Sequence, residues 1–205
     1  MGEVNAATRL WLIRHGEPVA DRPQLCCVAR DTGLSETGRR QISNVAEYLK
    51  AQPIFAIYAS PLARALESAR MLGCVRRCPV AVVPDLREID FGDFEGLTFD
   101  EIAARDPDLY RRWMETPTEV RFPNGEEFAE TRARVLRAAE AIRRECEGQA
   151  AMVVSHGGVN RILIAEALQL PDQCLFRVAQ DHAAINLVSF VEGSPSVQLV
   201  NHCVA

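Results

Sequence analysis

Four short apolar runs, residues 10–14, 54–59, 80–83 and 151–155, alternate along the chain with stretches whose apolar residues recur at helical spacing. This alternation constrains the fold more than any other feature. Ser35 is a helix N-cap, followed by a stripe of Ile42, Val45, Ala46 and Leu49. Pro61 suits the first turn of a second helix that carries Ala65, Ala69 and Leu72 and ends at Gly73. Thr98 and Glu101 have capping-box spacing, Pro107 opens a helix bearing Tyr110 and Trp113, and residues 124–127 introduce a long amphipathic helix ending near Gly148. After the run at 151–155, residues 158–168 form a further helix. Residues 184–192 and 197–204 then read as a terminal hairpin turning at Gly193, Ser194 and Pro195. Strands that alternate with helices predict an α/β fold with a mostly parallel central sheet flanked by helices.

The chain has 205 residues, 48% hydrophobic, which excludes a disordered or fibrous protein and predicts one domain over residues 1–205. Its longest early apolar run, Leu10 to Ile13, is far short of a membrane span, and no signal core precedes it. A cytoplasmic protein without a membrane partner is expected. With 23 basic against 28 acidic residues the net charge is −5, so no global field gathers nucleic acid, and an anionic ligand needs a local basic focus. Seven cysteines (26, 27, 74, 78, 146, 174 and 203) are an odd number without a Cys-x-x-Cys pair and read as reduced thiols. A homodimer is expected as the oligomer, if the chain forms one.

Ligands of parallel sheets bind beyond the carboxyl ends of the strands, so the residues just after each run matter most. The first run ends in Arg14, His15, Gly16 and Glu17; the second ends in Ser60 and Pro61, with Arg64 one helical turn on; the last ends in Ser155, His156, Gly157 and Gly158. If the strands are parallel, two arginines and two histidines converge at one edge beside helix N-termini. This is the composition of a phosphate pocket. The arginines offer planar forks, neighbouring cations keep an imidazole neutral, and a neutral imidazole can attack phosphorus to give a phosphohistidine.

Such a reaction also needs a proton donor for the leaving oxygen and a base for water. Residues 84–96 supply five carboxylates, Asp85, Glu88, Asp90, Asp93 and Glu95, among which physics alone does not choose. A metal held by His15, His156 and a carboxylate would be repelled by Arg14 and Arg64, and no cofactor is expected. Tyr110, Trp113 and Phe122 read first as local core and second as a stacking platform for an aromatic leaving group.

Residues 14–17, 60–65, 86–96 and 155–158, in that order and context, resemble the histidine phosphatase superfamily, the phosphoglycerate mutase-like proteins. The run from Leu86 to Gly96, with Phe122-Pro123-Asn124-Gly125-Glu126, is most similar to the α-ribazole phosphatase branch. The resemblance implies a three-layer sandwich and a metal-independent phosphomonoesterase acting on a small phosphorylated metabolite. It implies His15 as nucleophile, Glu88 as proton donor, and Arg14, Arg64 and His156 as phosphate clamp, with Gly157, Glu17, Asp21 and Arg22 as further substrate-binding candidates and Ser60 beside them. Where relatives commonly have Thr and then Asn after the first motif, this chain has Pro18 and Asp21; Val28 and Gly33 replace the usual Gly and Pro. Arg22 and Arg30 lie in the same long connection and could meet distal groups of a substrate. The alternatives are a cofactor-dependent mutase, disfavoured by the short stretch 97–124 available as a lid, and a non-catalytic phospho-ligand module, which would be expected to lose the nucleophile or the acid.

Overall fold

A computed structural model of the protein describes residues 6–20 and 31–204. Asp21, Arg22, Cys26, Cys27, Val28 and Arg30 lie outside the described residues. The strands are β1 (Thr8–Arg14), β2 (Ala56–Ala59), β3 (Val80–Val82), β4 (Ala150–Ser155), β5 (Ile185–Val191) and β6 (Ser194–His202). They form one sheet in the order β3-β2-β4-β1-β5-β6. The first four are parallel, and the hairpin β5–β6 joins antiparallel on β1. The helices are α1 (Glu36–Leu49), α2 (Ala63–Arg76), α3 (Phe99–Arg105), α4 (Pro107–Glu115), α5 (Phe128–Glu145) and α6 (Gly157–Leu168).

Side chains of the central strands alternate between two buried cores, because successive residues of a strand point to opposite faces. Trp11, Ile13, Ile57, Ala59, Met152 and Val154 pack with the apolar stripe of α1 and with Ala69 and Leu72 of α2. Leu10, Leu12, Tyr58, Ala151 and Val153 pack on the other face against α5 and α6. The result is the expected α/β sandwich of helices, sheet and helices. Ser35 caps α1 by accepting from the Gly38 amide at 3.0 Å, and Thr98 and Glu101 complete both halves of a capping box on α3.

Two boundaries differ from expectation. Helix α2 starts at Ala63, after Pro61, and runs through Gly73 to Arg76, closing with Arg77 in the left-handed region at φ 54°. Gly73 serves close packing instead of termination, since a Cβ there would lie 2.7 Å from the Cys78 carbonyl oxygen. The hairpin turns on Glu192 and Gly193, both at positive φ, so Ser194 and Pro195 belong to β6 and pair with Val191 and Phe190. No described helix is long and apolar enough to cross a membrane.

Candidate active site

Register builds the centre of the site. Arg14 pairs with Ser155 at the ends of adjacent parallel strands, so His15 and His156 leave the sheet side by side, with ring centroids 5.2 Å apart. Ala59 pairs with Val154 on the other flank of β4, which carries Ser60 to His156: the Ser60 hydroxyl lies 2.7 Å from His156 Nε2. Arg64 follows in the first turn of α2 and is 6% exposed, while His15 is 4% and His156 0% exposed.

Hydrogen bonds fix the state of His15. The Gly16 carbonyl only accepts, so the contact at 2.7 Å places the ring proton on Nδ1. Arg64 Nε only donates, and its bond of 3.2 Å to His15 Nε2 marks that nitrogen as the lone-pair atom. Burial, reinforced by His156, Arg14 and Arg64, holds the imidazole well below the ordinary histidine range. Burial, with Arg64, Arg14 and Arg134, does the same to His156. The Ser60 hydroxyl hydrogen-bonds His156 Nε2, and the buried Nδ1 of His156 has no partner among the described residues. The Nε–H of Arg14 is likewise buried and unpartnered there. An orphaned buried guanidinium N–H beside a second guanidinium suits an anion.

Arg14 is aimed by a network that draws on α6 and the neighbouring strand β5. Its Nη1 donates to the Gln180 carbonyl at 2.5 Å, and Gln180 is locked by Asn160 and Asn186, the latter bonded to the Leu12 carbonyl at 3.0 Å. Burial lowers the Arg14 guanidinium to about 10, so it remains a cation at neutral pH. Neither Arg14 nor Arg64 has a carboxylate within salt-bridge distance among the described residues, which leaves their charge to a ligand.

Of the five carboxylates in 84–96, Glu88 alone bonds the end of α6: the Gly158 amide donates to its Oε2 at 3.1 Å. Asp90 and Asp93 are exposed and bonded to Gly92 and Asn124. Glu95 is half-buried near Glu88 and Arg64, and burial raises its carboxyl above the usual range. Glu17 turns from the pocket to α1, accepting from the Ser35 hydroxyl at 2.6 Å. Pro18 bridges Leu34, and Gly33 leaves room for Glu67, which accepts from the Leu34 amide at 2.8 Å. Gly157 opens α6 against Arg14, where an added Cβ would lie 3.4 Å from Arg14 Nε.

His182 was not anticipated. Its Nε2 lies 3.1 Å from Arg14 Nη2, its ring centroid lies 5.6 Å from that of His15, and burial lowers it to about 4. It precedes the antiparallel β5, which starts at the edge where the parallel strands end. A search confined to residues after strands therefore passes over it, whereas one that included residues before an antiparallel strand would find it. The platform reading fails for Trp113 and Phe122, while Tyr110 is half-buried against the same core. Trp113 is 3% and Phe122 0% exposed, and both are packed with Phe91 as core.

A family model for the histidine phosphatase superfamily (branch 1) matches residues 10–202. The chain belongs to that superfamily. This superfamily member is 38% identical to a bifunctional protein of Mycobacterium tuberculosis over 98% of its own length and 55% of that protein's, so it spans about half of that relative. It is 30% identical to the adenosylcobalamin/α-ribazole phosphatase of Salmonella typhimurium, over 94% of this chain and 96% of that one, which bears out the likeness to the α-ribazole phosphatases. The solved structure of a mycobacterial glucosyl-3-phosphoglycerate phosphatase superposes with a TM-score of 0.83 at 30% identity, covering 95% of this chain and 99% of that one.

Proposed function

We propose that residues 1–205 form one metal-independent phosphomonoesterase, acting in the cytoplasm through a phosphohistidine at His15. The observation that carries this reading is the fixed tautomer of His15, whose Nε2 lone pair faces Arg64 in a pocket shared with Arg14 and His156. An arriving phosphate dianion offers Arg64 a better acceptor than Nε2, which frees the lone pair for in-line attack. The Nε2–P bond forms as the ester P–O bond breaks, and the carboxyl of Glu88 gives its proton to the leaving oxygen. The resulting carboxylate then takes a proton from water, whose oxygen attacks phosphorus and releases His15 and inorganic phosphate. Charge building on the equatorial oxygens meets Arg14, Arg64 and His156, which supply the electrostatic stabilisation a metal gives elsewhere.

The test is a trapped intermediate. Denatured enzyme from a reaction with labelled phosphate ester is expected to hold acid-labile, base-stable label in the parent and none in His15→Ala, with turnover unchanged by EDTA. Label retained at full stoichiometry by His15→Ala would overturn the assignment.

For the leaving group, the likeness to α-ribazole phosphatases supports a nucleoside-like monophosphate. A second reading has its own support: an added Cβ on Gly157 would lie 3.3 Å from Arg161 Nη1, so a further cation stands beside Arg14. An acidic ester related to phosphoglycerate would use it. Comparing kcat/KM for α-ribazole phosphate and 3-phosphoglycerate decides between them, and isomerisation of the latter would restore the mutase reading.

A further inference from the structure

Arg134 stands on the buried face of α5 among Phe128, Thr131, Val135 and Ala138, and is 4% exposed. A charge there needs a complete set of partners. It has one: Nε and Nη2 fork onto the two oxygens of Glu126 at 2.7 and 2.8 Å, Nη1 donates to the carbonyls of Asp85 and Arg87 at 2.7 Å each, and Nη2 also donates to the carbonyl of Glu88 at 3.1 Å. All five N–H donors are used. Glu126 reaches the same segment from its other side, its amide donating to the Asp90 carbonyl at 2.8 Å. Although burial pushes the Glu126 carboxyl up, its bonds to Arg134 bring it below the usual range, so the pair is ionised.

From the 3-10 turn at Pro84–Leu86, which holds Asp85, to the one at Gly92–Phe94 no strand ladder satisfies the carbonyls of the chain. One guanidinium does so at Asp85, Arg87 and Glu88. We propose that Arg134, with Glu126, is a positioning pair for the proton donor: it fixes the backbone from which Glu88 reaches the Gly158 amide. The inference rests on the reading of Glu88 as general acid. Arg134 touches no reacting atom and, apart from its charge, which His156 feels, acts through the segment that carries Glu88, whereas His15, Arg64 and His156 are set by strand register and by α2.

Two variants test this with the full chain. Arg134→Lys keeps the charge felt by His156 but loses the planar fork, and Glu126→Gln keeps the size but loses the charge. The readout is kcat/KM for an alkyl phosphate divided by that for p-nitrophenyl phosphate, whose leaving oxygen needs little protonation. In both variants the ratio is expected to fall about tenfold, a part of the whole general-acid contribution. Arg132→Ala, on the same helix as Arg134, breaks an exposed ion pair with Glu166 of α6 and should leave the ratio alone. Adding Arg134→Lys to Glu88→Gln should lower the ratio no further. A parental ratio in folded Arg134→Lys, or in Glu126→Gln where the lysine variant does not fold, overturns the positioning role. Failure of the acid reading itself looks different, because Glu88→Gln would then keep the parental ratio.

Discussion

The two sides of the pocket are held by different means. On the clamp side His15, Ser60 and His156 each follow directly on a buried parallel strand, and the register of β1, β4 and β2 determines which of them meet. On the acid side Glu88 sits in an irregular segment after the three-residue β3, held by a guanidinium from α5 and an amide of α6. The clamp is a product of sheet geometry. The acid is held by long-range polar contacts, and such contacts can be loosened without disturbing the sheet.

This contrast predicts two signatures in activity. Arg64→Ala removes a cation that meets the phosphoryl group whatever the ester, so kcat/KM should fall by about 10² to 10³, equally for alkyl and aryl phosphates. Glu88→Gln should cost about 10² for alkyl phosphates but under about tenfold for p-nitrophenyl phosphate. Equal losses in the second variant would move the acid to Glu95, the other half-buried carboxyl near Arg64. A leaving-group dependence in the first would mean that Arg64 also orders the acid.

The same contrast separates what the sequence discloses from what it withholds. His15, His156 and Ser60 are legible because an apolar run predicts a strand and the sheet rule directs attention to the residues after it. Gly73 and Pro61 mislead as helix boundaries because tertiary packing outweighs local signals: α2 continues past Gly73 while the chain at Cys78 presses close against it. Arg134 is illegible for a different reason. An arginine in an amphipathic helix reads as solvated, and only the long-range return of residues 85–88 shows what it binds. Glu88 became distinct from its four acidic neighbours through the family resemblance, and in the structure it is the one of the five whose side chain accepts from the Gly158 amide.

The clamp should also dominate acid stability. His15, His156 and His182 all have folded values below the unfolded value near 6.5, so as pH falls through 6.5 the unfolded chain takes up protons that the native one refuses, and stability drops. For His182 the loss is complete near its folded value of about 4; the fall from 6.5 corresponds to about 3 kcal/mol. Glu126, held below its unfolded value, adds a loss in the same direction but only as pH falls below the ordinary carboxylate range. Urea unfolding at pH 7 and 5 should show the decline, and His182→Asn should flatten it by the share of one histidine. An unchanged slope in that variant would mean that His182 titrates alike in the native and unfolded chains, and a steeper one that it is protonated in the native protein and belongs to the cationic set of the clamp.

The smallest effect is the sharpest probe of the acid side. An added Cβ on Gly158 would lie 2.4 Å from Glu88 Oε1 and 3.2 Å from its Cδ, so in Gly158→Ala something must move. The backbone of α6 is fixed by helical bonding and by the buried Val159 and Ile162, whereas the Glu88 carboxylate is the far end of a flexible side chain held by the amides of Ile89 and Gly158. Glu88 therefore gives way and loses the Gly158 amide, while His156, two residues earlier, keeps Ser60. Alanine in place of glycine favours a helix by about 1 kcal/mol, so the variant should unfold at the parental temperature or slightly above it. The alkyl-to-aryl ratio of kcat/KM should nonetheless fall about tenfold, a part of the general-acid contribution. A loss shared equally by both esters would show that the shift reached the clamp, and that the two sides of the pocket are one mechanical unit.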